Sequence, residues 1–118
     1  MNQAIIRGTL SSEPELRVLA SGATLATIQL TTRPAEGAAI SVPVSISEPP
    51  SWIEASQPGD EVVVIGSVRR RFFRAGGATA SRVEVEASHV AKATDKRALR
   101  KAVRAAQQTV DDLAATLE

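Results

Sequence analysis

The chain has 118 residues, with 14 Lys+Arg against 13 Asp+Glu for a net charge of +1, no cysteine, and three aromatic side chains, Trp52, Phe72 and Phe73. That length suits one domain, the lack of cysteine excludes a disulfide framework and thiolate metal ligands, and no apolar run approaches the roughly 20 residues of a membrane span. Near-neutrality excludes binding a polyanion by bulk attraction alone, so any such role needs uneven charge placement. No signal-type segment opens the sequence, and a cytoplasmic protein is expected.

Up to about Ala91 the apolar residues alternate or form short Val/Ile-rich runs between Gly, Pro and Ser, which is the pattern of strands. Residues 4–10 form the first predicted strand. A turn at residues 11–14 leads to a short run, residues 16–19, and Ser21-Gly22 supplies a tight turn. Residues 23–32 form a long second strand with Ala26, Ile28 and Leu30 on its core face. After the Pro/Gly/Ala-rich residues 33–39, Ile40, Val42, Val44 and Ile46 alternate with Ser41, Pro43, Ser45 and Ser47 as a third strand. Pro43 lacks a ladder donor and predicts an edge or a bulge there.

Residues 48–57 carry two prolines, then Ser51 in an N-cap-like place and Trp52 in the first turn, which predicts a short helix ended by Pro58-Gly59. Residues 61–73 are the fourth strand, with Gly66 permitting a bend. Gly76-Gly77 turns the chain into a fifth, residues 81–90, where Val83, Val85 and Ala87 alternate against Arg82, Glu84, Glu86 and Ser88. Residues 1–92 are expected to form one domain, and residues 93–118 an amphipathic helix capped by Thr94 or Asp95.

In that helix Leu99, Val103, Ala106, Val110, Leu113 and Leu117 keep to one a/d seam, suited to oligomerisation or to docking on the rest of the chain. Lys96, Arg97, Arg100, Lys101 and Arg104 crowd its first half and Asp111, Asp112 and Glu118 its second. This order opposes the macrodipole, so something outside the helix must favour it.

Five strands, a helix after the third and a bending Gly in the fourth form the order of a mainly β, five-stranded OB-fold barrel, with the C-terminal helix added. Met1-Asn2, Ile5-Ile6, Gly8, Leu10, Pro14-Glu15-Leu16-Arg17, Ser21-Gly22 and Ala26, then Gly59, Val62, Val64, Gly66, Val68 and Arg69, resemble the bacterial single-stranded-DNA-binding protein family over residues 1–92. The resemblance implies sequence-independent binding of single-stranded DNA in replication, repair or recombination, without cofactor or catalysis. It also implies a homo-dimer or homo-tetramer and a nucleoid-associated location.

Departures from the family qualify this. The family's third-strand Trp falls where this chain has Ser41, Val42, Pro43 and Val44, and a further Phe aligns with Ile46, while the Trp near the end of its fourth strand is answered by Phe73. The family's flexible linker and acidic tip ending in Pro-Phe are not found after residue 92. That points to a divergent, tail-less paralogue or a primosomal replication protein B-like relative, with no tip-mediated recruitment of repair enzymes.

A single-strand binder needs cations for phosphates and exposed rings for bases. Arg69, Arg70, Arg71, Phe72, Phe73 and Arg74 supply both in six consecutive residues. All six are candidate nucleic-acid contacts; strand alternation puts Arg69, Arg71 and Phe73 on one face and Arg70, Phe72 and Arg74 on the other, and if Phe73 is the stacking ring Phe72 is expected to pack on the barrel. The bland alternative is two ordinary hydrophobes among solvated arginines. Arg33 ranks first, ahead of Arg7 and Arg82, for extending the basic track.

Trp52 is expected to plug the barrel rather than stack on bases, and His89, the only histidine, to be structural. No metal or nucleophilic constellation can be assembled, and Gly76-Gly77 lacks the Lys-Ser/Thr and helix of a phosphate loop, so no enzyme activity is assigned. RNA is a second possible ligand. The competing function is an OB-fold protein-interaction module that has lost most of its DNA affinity.

Overall fold

The computed structural model describes residues 1–117; Glu118, expected at the acidic end of the helix, lies outside the described residues. In chain order the elements are β1 (Ala4–Leu10), β2 (Glu15–Val18), β3 (Thr24–Thr32), β4 (Ile40–Ser47), a 3-10 turn (Ser51–Ile53), β5 (Glu61–Ala75), β6 (Ala78–Lys92) and α1 (Lys96–Thr116). The chain is mainly β with one C-terminal helix.

Two expectations need correction. There are six strands among the described residues, not five, because the run at 16–19 pairs antiparallel with β3, from Glu15↔Thr27 to Val18↔Thr24. The intervening turn is closed by Leu19 N–H on the Ala23 carbonyl and Gly22 N–H on the Leu19 carbonyl. All four β2 residues are exposed, so no apolar alternation marks them. The short helix expected over residues 48–57 does not form. Only the three-residue 3-10 turn does, because Pro50 at its N-cap offers no side-chain acceptor and the Pro58-Gly59 stop follows closely.

The strand pairings close a circuit. β1 pairs with β5 and, at Thr9↔Thr31 and Leu10↔Leu30, with β3. β5 pairs with β6, β6 runs parallel to β4 at Val44↔Val85 and Ser45↔Glu86, and β4 returns to β3. This ring is consistent with an OB-fold. Pro43 sits just outside the two-residue β4–β6 contact, on a stretch of β4 with one free edge.

Inside the ring lie Leu10, Ala26, Ile28, Leu30, Val44, Ile46, Ile53, Val62, Val64 and Val85, all buried. Ala26, Ile28 and Leu30 are therefore on the face that alternation predicts. Two glycines allow the circuit to close. A Cβ on Gly8 would stand 2.6 Å from the Thr31 carbonyl oxygen, where β1 meets β3. One on Gly66 would stand 2.0 Å from the Glu86 carbonyl oxygen, at the register shift where β5 bends against β6.

The helix starts at Asp95, whose carboxylate accepts from Ala98 N–H at 3.0 Å. It packs on the outer face of the ring through Ala102 and Ala106, which bury against Ile65. Gln3 Nε2 donates to the Ala106 carbonyl at 3.4 Å. Of the seam read from the sequence, Ala106 is buried and Leu99 half-buried, while Val103, Val110, Leu113 and Leu117 remain exposed.

Candidate nucleic-acid interface

β5 and β6 stay paired over their full length, from Val62↔Lys92 to Ala75↔Ala78. Their other neighbours leave early. β1 accompanies β5 only as far as Gly66, and β4 touches β6 only at Val85 and Glu86. Beyond those points the two strands form a free arm, and the arm carries residues 69–74.

Register separates the arm's faces. Arg71 lies opposite Arg82 and Arg69 opposite Glu84, while Phe72 lies opposite Ser81. Arg71, Phe73 and Arg82 project into a groove of about 730 Å³. Its other wall is Glu15, Leu16 and Arg17 of β2, and Thr27 and Gln29 of β3 also line it. Thr27 and Gln29 occupy the positions of β3 that alternate with the core residues Ile28 and Leu30, so this is the outward face of the sheet.

Phe73 is 40% exposed in the groove, and Leu16, 41% exposed, stands on the opposite wall. A ring exposed to that extent keeps accessible area for stacking. Phe72 does not pack on the barrel as expected. It is 68% exposed, because the arm has already left the other strands and no second layer lies beneath that face.

The electrostatics are tighter than four free arginines would give. Glu84 is 0% exposed, with Arg71 Nη1 at 3.8 Å and Arg69 Nη2 at 4.0 Å. Arg69 also reaches Glu86 at 2.8 Å. Among the described residues neither Glu84 oxygen accepts a hydrogen bond, and Arg82 Nε, two residues along the same face, has no acceptor. A buried carboxylate is tolerated only beside compensating cations. Glu84 therefore draws Arg69 and Arg71 to the base of the arm and offsets part of their charge.

On the reverse face Arg70 Nη1 donates to Ser81 Oγ at 2.9 Å, and Arg74 is exposed near the hairpin tip. Arg33 is exposed just past the end of β3 and does not line the groove. Arg7 is engaged with Glu61, Nε to Oε1 at 2.6 Å. Trp52 is half-buried against the core with Lys92 Nζ 5.5 Å from its ring centroid, a cation–π distance. His89 is half-buried in β6, its Nδ1 3.2 Å from Ser88 Oγ.

Sequence reasoning did not assign Glu15, Leu16, Arg17, Thr27, Gln29 or Glu84 to the site. The alternation in β3 already separated Thr27 and Gln29 from the core face. Glu84 shares a face with Arg82 by the same rule. Nothing in the sequence showed that β2 folds back to become the second wall.

No family model matches the chain, and no curated protein matches it. Among solved structures, the chain is similar to a Plasmodium falciparum SSB in complex with ssDNA. The two share 18% sequence identity with a TM-score of 0.66, over 78% of this chain and 94% of the other. At that identity the likeness is one of fold, and it covers nearly the whole of the smaller chain.

Proposed function

We propose that the protein binds single-stranded DNA without strong sequence preference and without catalysis, as a divergent relative of the bacterial single-stranded-DNA-binding proteins. The observation that carries this reading is the groove between β2 and the β5–β6 arm, on the outward face of the ring, into which Phe73, Arg71, Arg82 and Arg17 project. The shared fold with an SSB and the run Glu15-Leu16-Arg17, a wall of that groove, support it.

Phe73 stacks on one base, a contact worth about 1 to 3 kcal/mol, and Leu16 closes the slot from the other side. Thr27 and Gln29 offer donors and acceptors that do not select one base. Arg17, Arg71 and Arg82 meet phosphates, and Arg69 joins them by exchanging Glu86 for a phosphate oxygen. RNA fits the same slot, since none of these groups is tied to a sugar position. Roles in replication, repair or recombination, and assembly as a homo-dimer or homo-tetramer, follow from the same reading. The test is fluorescence anisotropy with labelled oligo-dT. Binding at low salt that weakens as salt rises is expected, and no binding at low salt rejects the proposal.

A second reading is a protein-interaction module. It is favoured by the exposed Val103, Val110 and Leu113 on α1 and by the charge that Glu84 and Glu86 remove from the groove. Co-purification of a heterologous partner after nuclease treatment, together with no oligo-dT affinity, decides for it.

A further inference from the structure

We infer that the outward face of α1 is a second phosphate-binding surface, which extends the path of the strand beyond the groove and supplies a large share of the salt-dependent part of binding. The inference rests on the single-strand reading of the groove and deepens it.

Arg97, Arg100, Lys101 and Arg104 are spaced i, i+3, i+4 and i+7, so they share one side of the helix. They line one concavity with Asp95 and Ala98. The docking residues Ala102 and Ala106 fall on the opposite side, against Ile65, which leaves all four cations exposed. Among the described residues none of the four ion-pairs with a carboxylate within 4.0 Å. The nearest acid in sequence, Asp95, is occupied in capping Ala98 N–H.

The groove is different. Its lining sets Arg17, Arg71 and Arg82 against Glu15, with the buried Glu84 beside Arg71. The densest uncompensated positive charge is therefore on the helix and not in the groove. Five cations over residues 96–104 also stand at the end of a helix where the macrodipole disfavours them. Helix stability does not explain that placement, and a phosphate chain does.

The competing occupant is a second copy of α1 lying antiparallel. It would offer only Asp111 and Asp112 among the described residues, and both already accept from side-chain amides, of Gln107 and Gln108. A polyanion is the better match in charge. The two surfaces also border one strand, β6. Lys101, Ala98 and Ala102 border a second concavity with Ala87, Ser88 and His89 of β6, the strand that carries Arg82 into the groove. From Arg82 to Ser88 is about 20 Å of strand.

The test compares the unmodified chain, a variant with Arg97→Gln, Arg100→Gln, Lys101→Gln and Arg104→Gln, and a Phe73→Ala variant. Each is titrated with oligo-dT of about 6 and about 20 nucleotides, a span that brackets one OB-fold site, over a range of salt. Each lost phosphate contact lowers the slope of log K against log[salt] by about 0.7 for single strands. The helix variant is expected to lose about 2 to 3 units of slope on the long oligonucleotide and little on the short one. Phe73→Ala is expected to weaken both oligonucleotides with the slope unchanged.

Removing these cations relieves the macrodipole conflict, so the variant keeps its helix, as circular dichroism will report. An unchanged slope on the long oligonucleotide overturns the inference. So does loss of self-association in the variant, seen by sedimentation, without a change in slope, because a second copy is then the occupant. A lowered slope with no effect of Phe73→Ala supports the helix surface and rejects the groove as the stacking site.

Discussion

The carboxylate of Glu84 lies 3.8 Å from Nη1 of Arg71, wholly out of solvent, and accepts no hydrogen bond from it or from any other group described. The pair is held by charge alone at the root of the arm. Glu84→Gln removes that charge while keeping the shape. The expected outcome is a fold weaker by about 1 to 3 kcal/mol and oligo-dT binding tighter by about threefold to tenfold at low salt, since Arg71 is then free for phosphate and Arg69 keeps only Glu86. Denaturant unfolding and anisotropy titration measure the two effects, and weaker binding by a folded Glu84→Gln protein contradicts the role given to Glu84.

Phe73 and Phe72 are adjacent in sequence and opposite in position. Phe73→Ala lowers oligo-dT affinity by about fivefold to a hundredfold, the range of one base stack, with little change in stability because the ring is not in the core. Phe72→Ala leaves affinity within about twofold. Equal losses from the two substitutions would mean that the groove face does not select the stacking ring.

At Gly66 the space for a side chain is already filled by the backbone at Glu86. Gly66→Ala forces β5 away from β6 and costs roughly 3 kcal/mol, read as a fall in the thermal midpoint. Gly76→Ala, in the hairpin turn, meets no atom and bears only the strain of a positive φ, so it costs about 1 kcal/mol.

Ala102 is buried against Ile65. Ala102→Asp places an unpaired charge there and undocks the helix, at about 2 to 4 kcal/mol of docking free energy. Amide exchange is expected to accelerate along α1 while the protection of β3 and β4 persists. Loss of protection throughout would show that the ring does not stand without the helix.

The strands of the ring were legible because each buries one face, so Ala26, Ile28 and Leu30 announce β3 by alternation alone. β2 was not, since it is a ribbon with water on both sides and its pairing depends on the turn at residues 19–23. Ser51 and the prolines before it read as a helix start, but a start says nothing of length. The seam of α1 was read by hydrophobicity, which favours Val103 and Val110. Of that seam Ala106 makes the buried contact, joined by Ala102, which the seam left out, both against Ile65. Phe72 was given a packing role because alternation puts it on the face opposite Phe73, and only the early departure of β4 reveals why it stays exposed.

Asn2 joins the arm to the rest of the molecule in an unusual way. Its side chain donates Nδ2–H to the Val68 carbonyl at 2.6 Å and accepts Val68 N–H on Oδ1 at 2.9 Å, standing in for one further residue of β1. It is the last brace before the ribbon runs on with a single partner strand. Beyond that amide clamp the placement of Arg71 and Phe73 across from β2 rests on the pairing of β5 with β6 alone.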